Sequence, residues 1–351
     1  MRKEQSLLAT QDALSRRNFL RHSAFILAGS LFTPSLFARP RRSITYVERA
    51  AFTMGSIVTI KAYTDDEKEC LRGIDEAFRE MKEIDRLMSV FDERSQLSLV
   101  NHHSHEREIV VDERIIEVLT RAKEYSALTN EAFDVTVEPL MELYGFRDEA
   151  AAHSFPSDRQ IAETLESVGM RNVTLDSRLS TVLLRHPKTR LDFGGIAVGY
   201  AIDRSVSILK SHGVTSALIN HSGDLFAIGS PPEEDAWDVG IVDPMHPDSI
   251  ITTLQIRDEA LSTSGNYEKF IEADGRTIGH LLDPHSGKSP STILSGTVIA
   301  PTAIEADALS TGLFVMGIEQ QDQLIKRSHN LRFVGVTKNG QNVEVTRISS
   351  G

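Results

Sequence analysis

The chain has 351 residues, of which 40% are apolar and 25% charged, enough for one large globular domain or two smaller ones. Its net charge of -12 argues against a nucleic-acid partner, because phosphate binding needs clustered Lys and Arg. Cys70 is the one cysteine, which excludes an internal disulfide and a cysteine-based metal site.

The N-terminus reads as an address. Ser15-Arg16-Arg17-Asn18-Phe19-Leu20 matches the twin-arginine export pattern. An apolar run from Ala24 to Phe32 follows, with a small-residue cleavage site near Ala38. Residues 1–38 are therefore expected to be a signal peptide and 39–351 the mature domain of an exported, periplasmic protein. No cysteine follows the run to take a lipid anchor. Nothing beyond the N-terminus is long and apolar enough to span a bilayer.

Residues 44–63 alternate as a strand interrupted by Met54-Gly55-Ser56, where the glycine points to a bulge or a close approach to a ligand. Lys68 to Leu87 is an amphipathic helix with Leu71, Ile74, Ala77, Phe78, Met81 and Ile84 on its apolar face. Met88 to Asn101 reads as a loop with a short helical start. His102, His103 and His105 resemble a metal cluster, but Glu106, Arg107 and Glu108 beside them favour a solvated loop. A second helix covers Ile115 to Leu128, and Phe133-Asp134-Val135-Thr136-Val137 is predicted as a short strand. Pro139 then opens a helical piece ending at Tyr144-Gly145-Phe146, and 147–160 is a polar excursion. Ser157 caps a predicted helix from Asp158 to Val168, and strands at Val173–Leu175 and Thr181–Leu184 flank a turn.

Leu191 to Val206 runs from a strand end through Gly194-Gly195 into a helix. Such a turn exposes backbone N–H groups at a positive helix end, which favours anionic oxygens, although helix packing alone also accounts for the glycines. A hairpin turning at His221-Ser222-Gly223-Asp224 follows, then strands at Trp237–Val242, Ser249–Ile256 and Ala260–Ser264 that read as a meander. Gly287-Lys288-Ser289 is not a P-loop, since Leu282 stands where that motif needs glycine, and His221-Ser222-Gly223 lacks the leading glycine of a nucleophile elbow. Gly296 to Ala300 is a strand stopped by Pro301. Thr302 and Glu305 form a capping-box pattern for a helix from Ala303 to Gly317. On it, Asp307 and Thr311 are one turn apart and share a face. An oxygen site for a hard cation such as Mg2+ accounts for them, as does an Asp–Arg pair beside a threonine bonded back to its helix. Hairpins mixed with helices argue for an α+β fold with mixed or antiparallel sheets.

Together these segments resemble the ApbE family, the FAD:protein FMN transferases, over nearly all of 45–320. The resemblance rests on eight stretches in family order. They are Met54-Gly55-Ser56, the segment ending at Asn101, Phe133 to Leu140, Leu191 to Ala197, Asn220 to Asp224, Ser262 to Tyr267, His280-Leu281-Leu282-Asp283-Pro284, and Ser295 to Gly317. It implies a T-fold-related architecture and transfer of FMN from FAD to a Thr or Ser hydroxyl of an exported acceptor protein, with AMP released and Mg2+ required. By the same resemblance Asp307, Thr311 and the Gly195 carbonyl hold the metal. Met54, Phe91, Asn101, Ala132, Phe133, Asp134, Asp192, Val198 and Leu281 fall at or near FAD contacts. His280 and Asp283 lie beside the diphosphate, with His280 handling the proton. Val198 stands where the family often has lysine, His221 replaces a frequent glycine and Ser56 a frequent threonine; the lost positive charge is expected to weaken FAD binding or to move a contact to Arg204. Two other activities use the same features: a metal-dependent FAD pyrophosphatase giving FMN and AMP, and a non-catalytic FAD carrier.

Overall fold

Val58, Ile60 and Ala62 are fully buried while the residues between them are more exposed, the period of a strand with one covered face. That strand belongs to a computed structural model describing residues 43–147, 155–267, 269–273, 276–291, 293–328, 330–339 and 342–350. The signal-peptide reading of 1–38 lies outside the described residues.

In chain order the strands are β1 Thr45–Thr53, β2 Ser56–Thr64, β3 Ile109–Val110, β4 Val173–Asp176, β5 Thr181–Leu184, β6 Ala217–His221, β7 Asp224–Ile228, β8 Trp237–Asp243, β9 His246–Ile256, β10 Glu259–Gly265, β11 Phe270–Ala273, β12 Arg276–Gly279, β13 Ile293–Ala300, β14 Arg332–Asn339 and β15 Asn342–Ser349. The helices are α1 Glu67–Met88, α2 Gln96–His103, α3 Glu113–Leu128, α4 Glu138–Tyr144, α5 Asp158–Leu165, α6 Ala197–Ser211, α7 Ala303–Met316 and α8 Ile318–Arg327. One open sheet of eight strands, in the order β1-β2-β6-β7-β10-β13-β14-β15, is antiparallel throughout its described pairs. Helix α6 packs between α1 and α7, and α7 lies on β10 and β13. This is the α+β arrangement that the hairpin-and-helix pattern predicts.

Several local expectations change. Met54-Gly55 is a hairpin turn rather than a bulge: both residues are left-handed, φ 49° and 77°, so β1 folds back on β2. Residues 133–137 form turns, because the Asp134 carboxylate captures the Thr136 amide and hydroxyl at 2.8 and 2.6 Å. The stretch before Gly194 is extended but belongs to no described ladder. β8 and β9 pair as their own hairpin, whereas β10 joins the main sheet between β7 and β13. Ser157 does cap its helix, in a full capping box with Gln160, although that helix ends at Leu165.

Helix α7 starts where expected but is capped by another residue. Thr302 makes no side-chain cap; Asp203 of α6 caps α7 instead, accepting from the Ala303 and Ile304 amides at 2.8 and 2.9 Å. A carboxylate at the positive end of a helix is favourable, and this one ties α7 to α6. Leu309, Leu313 and Phe314 are fully buried in the main core, so the faces of α7 are fixed on both sides.

Candidate active site

A cavity of about 260 Å³ opens where α7, β10, the Gly194-Gly195 turn, the 132–137 loop and the 280–282 loop meet. Each wall is held by bonds to backbone. Asn101, buried on α2, donates to the Leu191 carbonyl at 2.9 Å and accepts from the Leu191 amide at 2.7 Å. Asp192 then accepts from the Gly194 amide at 2.8 Å and shapes the turn. The second oxygen of Asp134 accepts from the Met170 amide at 3.0 Å, pinning the loop that carries Phe133. Asn266 accepts from the Leu281 amide at 3.1 Å. Gly312 permits the loop to approach α7, since a Cβ there would come within 2.7 Å of Thr129 Cγ2.

Asp307 and Thr311 both face this cavity. Asp307 is buried, and its carboxylate accepts from the Gly199 amide at 2.9 Å, with no arginine paired to it among the described residues. Burial, then the neighbouring Asp224, raises its pKa well above the ordinary carboxylate range. Asp224, at the start of β7, is pushed up to about 6 by desolvation, against a hydrogen bond from Ser262. The Thr311 hydroxyl meets Ser264 Oγ at 3.2 Å rather than bonding back along its helix. The Gly195 backbone lies against it, for a Cβ on Gly195 would stand 3.1 Å from Thr311 Oγ1. Neither an Asp307–Arg pair nor a Thr311 bond back along the helix is found among the described residues. Two carboxylates without a neighbouring countercharge, a hydroxyl and nearby backbone make an all-oxygen donor set, which fits a hard divalent ion such as Mg2+. Among the described residues no three His, Cys, Asp or Glu side chains converge on a metal site; His102 and His103 form the last turn of α2 rather than part of a loop, with His105 just beyond it.

His280 lines the same cavity. Its Nδ1 lies 3.1 Å from the Lys269 carbonyl, which can only accept, so Nδ1 carries the proton and Nε2 keeps a lone pair. Burial lowers its pKa, favouring the neutral ring.

Of the residues that the resemblance implicates, Phe91, Ala132, Phe133, Asp134, Asp192, Gly195, His280, Leu281, Asp307 and Thr311 all border the cavity. Four do not. Met54 sits at the hairpin tip, its amide donating to Asp85 at 2.8 Å. Asn101 is a backbone clamp behind the wall, and Val198 packs against the core in the first turn of α6. Asp283 spends both carboxylate oxygens on its own loop, accepting from His285 N at 2.9 Å and from Ser286 N and Oγ at 3.3 and 2.6 Å. Arg204 is not in the cavity either; it pairs with Glu80 at 3.2 Å. The basic side chains in the cavity wall are Arg147 and Lys269, which sequence reasoning passed over, as it did Asp224. Asp224 ends a stretch that carries the family resemblance but no assigned role, and Arg147 lies in an excursion with no periodic pattern.

The ApbE family model matches residues 54–334. An FAD:protein FMN transferase of Klebsiella pneumoniae is 31% identical over 294 residues, which is 83% of this chain and 89% of that protein. The crystal structure of the ApbE protein of Thermotoga maritima superposes with a TM-score of 0.77 at 31% identity, over 86% of this chain and 96% of its own. The flavin transferase ApbE of Vibrio cholerae gives a TM-score of 0.78 at 26% identity, over 88% and 98%. A match that runs through both the fold and every segment forming the cavity shows that the chain belongs to the ApbE family.

Proposed function

We propose that this protein is an FAD:protein FMN transferase that moves FMN from FAD onto a Thr or Ser hydroxyl of an exported acceptor protein and releases AMP. The observation that carries the reading is the pairing, across one cavity, of an acidic oxygen cluster at Asp224, Asp307 and Thr311 with a neutral histidine whose Nε2 is free to accept a proton. The curated relatives bearing that activity and the twin-arginine pattern support the acceptor's class and place.

The reaction is a displacement at the FMN-side phosphorus. The acceptor oxygen forms the new P–O bond, the bond to the bridging oxygen breaks, and AMP leaves with that oxygen. Transfers of this kind depend on positioning and on neutralising phosphoryl oxygens. Asp307, Thr311 and the Gly195 carbonyl would hold Mg2+, with Asp224 beside them, and the bound ion supplies that neutralisation. His280 Nε2 takes the hydroxyl proton. Phe133 and Leu281 offer apolar surface for the flavin ring, and Phe91, 72% exposed, stands at the mouth.

The test is mass spectrometry of an acceptor incubated with the protein, FAD and Mg2+. One FMN on a Thr or Ser, lost with EDTA and with Asp307→Ala, is expected. Free FMN and AMP without an adduct would make the protein a pyrophosphatase; bound, unreacted FAD would make it a carrier.

A further inference from the structure

The cavity is acid-lined: Asp134, Asp192, Asp224 and Asp307 border it, against Arg147 and Lys269. A diphosphate adds two negative charges to that wall, so the placement of the two cations matters. Lys269 is an exposed residue, and its ammonium donates to the Phe146 carbonyl at 3.4 Å. Arg147 is different. Its side chain is 18% exposed and is fixed on three sides. Nε donates to Glu138 Oε1 at 2.7 Å, and Nη2 donates to both Glu138 Oε2 and Asp192 Oδ2. The guanidinium also lies over the Phe91 ring, 5.1 Å from its centroid.

Those carboxylate bonds use Nε and Nη2, and the Nη1 amino group takes part in none of them. Asp192, which accepts from Arg147, also accepts from the Gly194 amide, and Gly195 abuts Thr311. The guanidinium therefore stands beside the turn that abuts Thr311, pre-oriented, with no carboxylate on its Nη1 edge among the described residues.

We propose that Arg147 is a substrate-binding residue whose guanidinium contacts the diphosphate of FAD. This rests on the reading of FAD as substrate. Glu138, only 2% exposed, acts as the fixed countercharge that holds the guanidinium in place. A cation here supplies the positive charge that neither Val198 nor Arg204 brings to the cavity.

The experiment compares binding of FAD and of riboflavin, which has no phosphate, by flavin fluorescence with the full-length folded protein. Arg147→Gln is expected to weaken FAD by roughly tenfold, the size of one charge-assisted hydrogen bond, and to leave riboflavin unchanged. Arg147→Lys, which keeps the charge but not the planar fork and serves if the glutamine variant fails to fold, is expected to weaken FAD less than Arg147→Gln does and to leave riboflavin unchanged. Equal losses for FAD and riboflavin would make Arg147 structural and overturn the proposal, as would no loss for either. Because the readout is binding, absence of transfer alone refutes the activity and not the contact; failure of the unaltered protein to bind FAD refutes both.

Discussion

Gly199 is the point where a single methyl group tests how the fold sets the residues proposed to hold the metal. A Cβ there would lie 2.3 Å from the Ala303 carbonyl oxygen and 2.8 Å from Asp307 Cβ. Restoring an ordinary contact requires α6 and α7 to separate by about 1 Å, a strain of about 1–3 kcal/mol, offset by up to about 1 kcal/mol of helix propensity. The same retreat breaks the 2.9 Å bond from the Gly199 amide to the buried Asp307 carboxylate, costing about 1–3 kcal/mol more. Gly199→Ala is thus expected to lose about 2–4 kcal/mol, lowering the melting temperature by about 4–8 °C at about 2 °C per kcal/mol for a chain of this size. The functional effect is the sharper one. Transfer rates measured against Mg2+ at a temperature where the variant stays folded should show a loss of up to about 100-fold, since a 1 Å misplacement can cost that much. A folded variant with unchanged melting temperature and Mg2+ dependence would refute the role given to this helix crossing.

Three further outcomes follow from other parts of the site. Asn101→Ala leaves the Leu191 amide and carbonyl buried without partners and should cost about 2–4 kcal/mol in urea unfolding; a loss under about 1 kcal/mol would show that the clamp is dispensable. For His280, burial depresses the pKa below its ordinary 6.5, so the base is neutral at pH 7 and kcat/KM should fall only as pH drops below that value; His280→Ala should abolish transfer while FAD still binds, and full transfer activity in it would rule His280 out. Asp307→Asn keeps an acceptor for the Gly199 amide but removes a buried charge, so in EDTA at pH 7 the variant should melt above the unaltered protein while losing transfer and its thermal response to Mg2+. The sign follows from the raised pKa: the charged form is penalised only above the unfolded-state value, so the gain should shrink as pH falls toward about 4. Lower stability at pH 7 would contradict it.

The elements that sequence periodicity reveals are those with a one-sided environment. The α1 stripe through Ile74, Met81 and Ile84 and the β2 alternation are legible because one face is buried and the other is not. The turns at 133–137 were read as a strand because β-branched residues dominate the local propensity, whereas the tertiary hydrogen bonds of Asp134 decide the conformation. The cap of α7 was misplaced for a related reason: Asp203 lies 100 residues from Ala303, beyond any local pattern. Asp307 and Thr311 were legible through their spacing on an apolar helix. Asp224 was not, since only the crossing of β7, β10 and α7 gives it a carboxylate neighbour. The C-terminal hairpin of β14 and β15 extends the main sheet beyond β13.

The signature residues of this chain therefore divide into two physical kinds. Asn101, Asp134, Asn266 and Asp283 are side chains that hold backbone: each satisfies amides or carbonyls of a loop that would otherwise lack a ladder. Asp224, His280, Asp307 and Thr311 face the cavity and are left less satisfied, two of them as carboxylates that repel each other. The first kind makes the second tolerable. Two like charges stay together only where the elements that carry them are fixed: β7 lies in the main sheet and α7 is tied to α6 by Asp203, 100 residues away, while Asn101 holds Leu191 and the turn after it across 90 residues. This is why weak, dispersed motifs together identify the site where no single one does. The chemistry occupies a few positions, and the remaining signature residues are the anchors that keep those positions apart from water and close to one another.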